Sequence, residues 1–285
     1  MSLDYAILTI ELNAIGYCKD DVIRALKQVK PLGKLDIVVN HQFTHMRELE
    51  SVLASVYNIA REAQEETKNA QVFTTVIYDS SIVSPNADIY LSSQAHSNEA
   101  LSNDVKTPSS KSDAQRGQFR VTALGGTFDH LHDGHKILLT LAGFLASEKL
   151  IVGITQDELL KNKQFKEVMQ SYHTRKEAVI NFLKKIQPDL EVDCYELRDI
   201  AGPTGFISDI DVLVLSQETS AGGATVNKIR LEKGFPELAL FEVGVIGGGS
   251  AGDNWKDKLS STRLRQLEYD EKYGKPEGPT TSLGK

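Results

Sequence analysis

Between Leu124 and Lys136 the chain reads LGGTFDHLHDGHK, which sets a glycine pair and three histidines, His130, His132 and His135, within one short stretch. An imidazole can carry a proton, ligate a metal or donate to a phosphate. Gly125 and Gly126 let the backbone turn tightly or approach a ligand closely. Gly134 and His135 stand just before the apolar run ILLTLAGFL, where a helix is expected to begin. Free N–H groups and the positive end of the helix dipole at such a start favour an anion. His132 and His135 are three apart and can point to one side of that start. Two imidazoles with N–H donors suit a polyphosphate whose charge changes during reaction. The bland alternative is a helix-entry turn with surface histidines. The metal alternative needs His130, His132 and His135 as ligands, awkwardly spaced across a turn and with no cysteine nearby, so no protein metal site is assigned.

Such a cluster has to be positioned by flanking elements. The run FRVTAL before it reads as a strand. Further strands are expected at KLIVGIT, LEVDCYEL, DVLVLS and LALFEVGVI. Helices are expected between them at HKILLTLAGFLASE, QDELLKNK, TRKEAVINFLKKI and TVNKIRLEKG, and a last one at SSTRLRQLEYDEKY. Five apolar strands alternating with helices imply a doubly wound parallel sheet of five strands. Ligands of such sheets bind at the carboxyl ends of the strands, where the histidine stretch lies. The first 91 residues alternate in the same way and are expected to form a smaller α/β domain.

The segment 92–117 has seven serines and only five apolar residues among its 26, which predicts a flexible linker or surface loop. A larger second α/β domain is expected over 118–270 and a disordered tail over 271–285. The whole chain has 285 residues, 40% hydrophobic and 25% charged, enough to bury a sizeable core. A net charge of −7 gives no basic field for nucleic acid or anionic membranes. The two cysteines, Cys18 and Cys194, offer no disulfide framework or cysteine zinc site. No apolar run approaches a membrane span and no signal peptide is expected, which points to the cytoplasm, with the nucleus as an alternative.

The stretch GGTFDHLHDGH resembles the signature of nucleotidyltransferases with a His-x-Gly-His motif, and within them the eukaryotic and archaeal phosphopantetheine adenylyltransferases. GITQDELLKNK, DVLVLSQETSAGGATVNKIRLEKGFPELALFEV and KLSSTRLRQ are similar to that family's later motifs, in order, so the resemblance covers roughly residues 118–270. It implies a Rossmann-like nucleotidyltransferase domain. It also implies transfer of adenylyl from ATP to 4′-phosphopantetheine, giving dephospho-coenzyme A and pyrophosphate. A phosphate monoester has a second pKa of about 6, so the acceptor is mostly a dianion at neutral pH and needs no general base. The enzyme has to align reactants and stabilise negative charge.

By the resemblance, Thr127 would hold the reacting phosphate, and His132 and His135 the ATP phosphates. Lys161 or Lys163 would supply a cation, with Lys163 preferred. Gly125, Gly126, Phe128, Gly134 and Glu218 would complete the ATP site. Asn227 and Arg230 are three apart on one expected helix and could face nucleotide or pyrophosphate. Ser260, Ser261 and Thr262 would open the last helix and give phosphate a second N-terminus, or act only as an N-cap. Arg263 and Arg265 point differently, so one of them would reach the site, and Arg265 is assigned. Mg²⁺ would arrive with ATP. Coenzyme A would bind as a product-like ligand, and association with other enzymes of that pathway is open. Alternatives are a transferase using another phosphorylated acceptor and a non-catalytic nucleotide-binding scaffold. The run GGGSAG at 247–252 fits a dinucleotide fingerprint but is followed by no helix-forming apolar pattern, so a nicotinamide enzyme is a weak reading. His41 and His45, four apart, could pair on a metal, but a strand-to-helix turn with surface histidines is the better reading.

Overall fold

A computed structural model describes residues 2–93, 113–217, 219–244 and 260–274. The first part of the chain builds a four-stranded sheet. Its strands are β1 (Leu3–Glu11), β2 (Val29–Asn40), β3 (Phe73–Ile77) and β4 (Ile89–Ser92), ordered β3-β2-β1-β4 with every pairing parallel. Helices α1 (Lys19–Leu26) and α2 (Met46–Thr67) connect the first three strands. α2 buries Met46, Leu49, Val52, Leu53, Val56, Tyr57, Ala60 and Ala63, an apolar stripe at helical spacing that obliges it to pack by one face.

The second part is the expected five-stranded parallel sheet. β5 (Phe119–Gly126), β6 (Ala146–Thr155), β7 (Glu191–Leu197), β8 (Val212–Ser216) and β9 (Ala239–Val243) run in the order β7-β6-β5-β8-β9. α3 (Asp133–Leu145), α4 (Tyr172–Ile186) and α5 (Ser220–Glu232) connect its strands, and α6 (Ser261–Tyr273) follows. The strand order reverses between β5 and β8, which opens a crevice at their carboxyl ends. α5 lies tightly against the sheet at Gly223, where an added Cβ would stand 2.8 Å from Leu215 and 2.9 Å from Leu240.

The two sheets share one core. Every residue of α3 from Ile137 to Leu145 is buried. A helix apolar all round needs cover on every side. β5 and β6 cover one flank of α3, α4 another, and α2 of the first unit a further one. A single apolar cluster therefore runs from Ala6 and Leu8, through Tyr57 and Ala60, to Leu139, Val214 and Val243.

Several expectations meet differences. QDELLKNK forms only a short 3-10 helix, Asp157–Leu160. β4 was not foreseen and includes Ser92, the first residue of the expected linker. The last residues of that segment are ordered too. Ala114 is buried, its carbonyl accepts from Met46 N–H, and Gly117 N–H donates to the Phe144 carbonyl. The rest of the expected linker, 94–112, lies outside the described residues, as do GGGSAG and 275–285 of the expected tail, whereas Glu271–Tyr273 belong to α6. No helix among the described residues is long and apolar enough to cross a membrane.

Candidate functional site

A cavity of about 670 Å³ opens at the carboxyl ends of β5, β6, β8 and β9. Its floor and walls include Gly125, Gly126, Thr127, Phe128, His132, Gly134 and His135. Lys163 enters from the segment after β6, and Ser260, Ser261, Thr262 and Arg265 from the start of α6. The structure thus gathers residues more than a hundred positions apart. Lys161 does not line this cavity, which separates the two candidate lysines.

The turn from β5 into α3 is held in unusual backbone. Phe128 and His130 have φ of +53° and +47°, in the left-handed region that non-glycine residues avoid. The Phe128 ring is buried beneath Gly126, where a Cβ would come within 3.0 Å of it. Gly126 is thus needed for close packing on that ring. Such local strain persists only where neighbours enforce it, and Arg175 does so. Buried in the first turn of α4, it donates to the carbonyls of Thr127 and Thr155, both at 2.8 Å, of Gln170 at 3.1 Å, and to Asp157 at 2.7 Å. Gln170 adds a second brace, accepting from His130 N–H at 2.8 Å and donating its own N–H to Asp129 at 3.0 Å. Neither residue stands in a motif, so nothing in the residue pattern pointed to these roles beyond an arginine near a helix start.

The three histidines divide. His132 is the N-cap residue of α3 and His135 sits in its first turn. Their rings stack at 3.8 Å between centroids, and Phe128 packs on His135 at 5.3 Å. Burial pulls His132 down to about 3, reinforced by the charges of Lys136, Arg61 and His130. Burial likewise holds His135 well below the usual histidine range, helped by His132. Both rings are therefore neutral at physiological pH, each with one N–H to donate. The Nδ1 atoms of both are buried without a partner among the described residues. His130 instead turns away, with Nε2 at 2.6 Å from Glu268 and Nδ1 at 3.0 Å from Asp129. Burial lowers its pKa, but the neighbouring carboxylates of Asp129 and Glu268 outweigh this and raise it. No group of three histidine, cysteine or acidic side chains among the described residues converges as a metal site.

Arg265 reaches the cavity wall but is spoken for. It donates to Asp129 at 2.7 Å, to the Gln164 carbonyl at 2.9 Å and to Thr262 Oγ1 at 3.1 Å. Burial raises the Asp129 carboxyl, yet His130, Arg265 and the Gln170 N–H outweigh this and hold it low. Ser260 caps α6 by accepting from Arg263 N–H at 3.2 Å, and Ser261 Oγ ties α6 to the Asp129 carbonyl at 2.9 Å. The capping role expected of Ser260 is thus present alongside its place on the cavity. Arg263 is exposed and its guanidinium donates to Gln266 at 3.0 Å.

Two expectations are corrected. Arg230 is fully buried and donates to four carbonyls, those of Thr204, Ile207, Ser208 and Pro236, at 2.6 to 2.8 Å. Asn227 pairs both ways with the Leu238 backbone, at 3.0 and 2.9 Å. Neither lines the cavity. Arg230 joins α5 to the segments before β8 and β9, and Asn227 joins it to the segment before β9, where unpaired carbonyls and N–H groups would be costly to bury. Glu218 lies outside the described residues. His41 and His45 do not converge either: His41 meets Glu48 at 3.1 Å and His45 meets Thr44 at 2.9 Å.

Comparison with known proteins places these features in a wider set. Residues 123–267 match the family described as cytidylyltransferase-like. Over 150 residues the chain is 54% identical to a phosphopantetheine adenylyltransferase of Saccharomyces cerevisiae, covering 53% of this chain and 49% of that protein. It is 41% identical over 149 residues to an uncharacterized protein of Schizosaccharomyces pombe, covering 51% of this chain and 47% of that protein. It is 32% identical over 148 residues to a phosphopantetheine adenylyltransferase of Methanopyrus kandleri, covering 52% of this chain and 90% of that protein. The match thus spans about half the length of the two fungal relatives and most of the archaeal one.

Proposed function

The chain belongs to the cytidylyltransferase-like family, in its phosphopantetheine adenylyltransferase branch, and from that premise we propose that it transfers adenylyl from ATP to 4′-phosphopantetheine, giving dephospho-coenzyme A and pyrophosphate. The observation that carries this reading is the pair of stacked, neutral histidines at the N-terminus of α3, facing a cavity of about 670 Å³. That volume suits a nucleotide with part of an acceptor, within the ~300–1,000 Å³ of small-molecule sites.

In this reading an oxygen of the acceptor phosphate attacks the α-phosphorus of ATP. The bond from that phosphorus to the bridging oxygen of the β-phosphate breaks, and pyrophosphate leaves with the electron pair. The attacking dianion needs no base, and no residue forms a covalent bond. Thr127 orients the acceptor phosphate. His132, His135, Lys163 and the free N–H groups of α3 hold the ATP phosphates and the charge that spreads over them. Ser260, Ser261 and Thr262 bring the start of α6 to the same anion. Arg265 acts mainly by fixing Asp129 and α6.

Mg²⁺ delivered by ATP would neutralise phosphate charge when bound. The described cavity lining contains hydroxyls and no carboxylate, which suits a metal held by the nucleotide and its own waters rather than by the protein. An acceptor screen monitored by pyrophosphate release tests the assignment. Release with 4′-phosphopantetheine, and much slower release with other phosphomonoesters, is the expected outcome. Release only with a different acceptor would move the chain to another member of the superfamily.

A further inference from the structure

The stretch that forms the phosphate end of the cavity also contains an acid. Asp133 is the first residue of α3, between His132 and Gly134, both of which line the cavity. A carboxylate there suits the helix dipole, but it opposes any second anion at the same helix start. Its side chain is turned away from the cavity. There it forms an ion pair with Arg61, and its other oxygen lies 3.4 Å from Lys136 Nζ. Arg61 belongs to α2, in the N-terminal unit that the family match does not cover. The side chains of Arg61 and Asp133 are only 22% and 10% exposed, so solvent screens the pair weakly. Lys136 is itself anchored to the first unit, donating to the Thr74 carbonyl at 2.8 Å and lying 5.6 Å over the Tyr57 ring.

We propose that Arg61, supplied by the N-terminal unit, is a positioning residue for the phosphate end of the cavity: it neutralises Asp133 and holds it back, so that the start of α3 stays open to an anion. Lys136 cannot do this alone, because its ammonium is shared with the Thr74 carbonyl and stands further from the carboxylate. The N-terminal unit thereby contributes to substrate binding without touching substrate. The proposal rests on reading that helix start as a phosphate site, and not on which acceptor is used.

The test is calorimetric titration of the full-length chain with inorganic pyrophosphate. Arg61→Gln should weaken binding on the order of tenfold, the scale of one unscreened like charge nearby. Asp133→Asn should bind at least as tightly as the unaltered chain. The double variant Arg61→Gln/Asp133→Asn should recover to within about threefold of it, since the charge that Arg61 offsets is gone. A purely structural pair would instead show the double variant as weak as the single, and that result would overturn the proposal, as would Arg61→Gln binding normally. Should Arg61→Gln fail to fold, Asp133→Asn decides: weaker pyrophosphate binding than the unaltered chain refutes the idea. Turnover with ATP and phosphopantetheine is measured in parallel. An unaltered chain that binds pyrophosphate with the expected pattern but makes no product leaves this inference standing and removes the proposed function.

Discussion

His135 is the side chain on which the proposed chemistry leans most. It is stacked on His132, backed by Phe128 and held neutral by burial. Replacing it with alanine should cut turnover by about two to three orders of magnitude, the scale of losing one preorganised donor. A steady-state assay per folded molecule checks this, and near-normal turnover would remove the histidine from the site. His132 adds a pH signature. Its folded pKa, about 3, lies below the unfolded value of about 6.5. Its contribution to stability is therefore complete above the unfolded value and is lost progressively as the pH falls from there toward the folded one. The melting temperature of the unaltered chain should thus fall faster between those limits than that of His132→Gln. Parallel curves would show that His132 titrates normally. At this scale the sequence was informative where residues cluster: the glycine pair, Thr127 and the two histidines line one cavity. Asn227 and Arg230 were misread because helical spacing shows which residues share a face, not whether that face meets a ligand or buried carbonyls.

The β5-to-α3 turn is the element that makes the site, and its support comes from α4. Arg175 fills four acceptors with no apolar substitute for any of them. Arg175→Met should destabilise the protein by about 3 kcal/mol, the upper range for hydrogen bonds made by a charged group. Chemical denaturation measures that loss, and an unchanged midpoint would show that water can take over these acceptors. Strand and helix alternation made the five-stranded sheet legible, because parallel strands buried on both faces read as continuous apolar runs. Two elements were less visible. β4 is only four residues long with alternating burial, and QDELLKNK carries too few apolar positions to sustain more than one 3-10 turn.

Across the whole molecule, α3 joins the two sheets. Its sequence ILLTLAGFL is apolar all round and buried throughout, and α2 covers the flank away from its own sheet. Because one apolar cluster spans both parts, the full chain should unfold in a single calorimetric transition, with calorimetric and van't Hoff enthalpies in agreement. Two well-separated transitions would show instead that the units fold independently. The same sharing means that a chain beginning near Gln118 would expose the α2-facing side of α3, so loss of stability is expected from truncation even where the chemistry survives. The polar composition of 92–117 marks a boundary in the sequence, but composition carries no information on which surfaces the flanking units bury against each other.

The central claim is that an oxygen of the acceptor phosphate becomes the bridge to the α-phosphorus of ATP as pyrophosphate leaves, and isotope tracing tests it most directly. 4′-Phosphopantetheine carrying ¹⁸O in its phosphate is incubated with ATP and the full-length chain, and both products are examined by mass spectrometry. Expected is dephospho-coenzyme A retaining all of the label, one ¹⁸O now bridging the two phosphorus atoms, with unlabelled pyrophosphate formed in equal amount. Label in pyrophosphate, ADP in place of pyrophosphate, or no adenylylated product from a folded chain would contradict it.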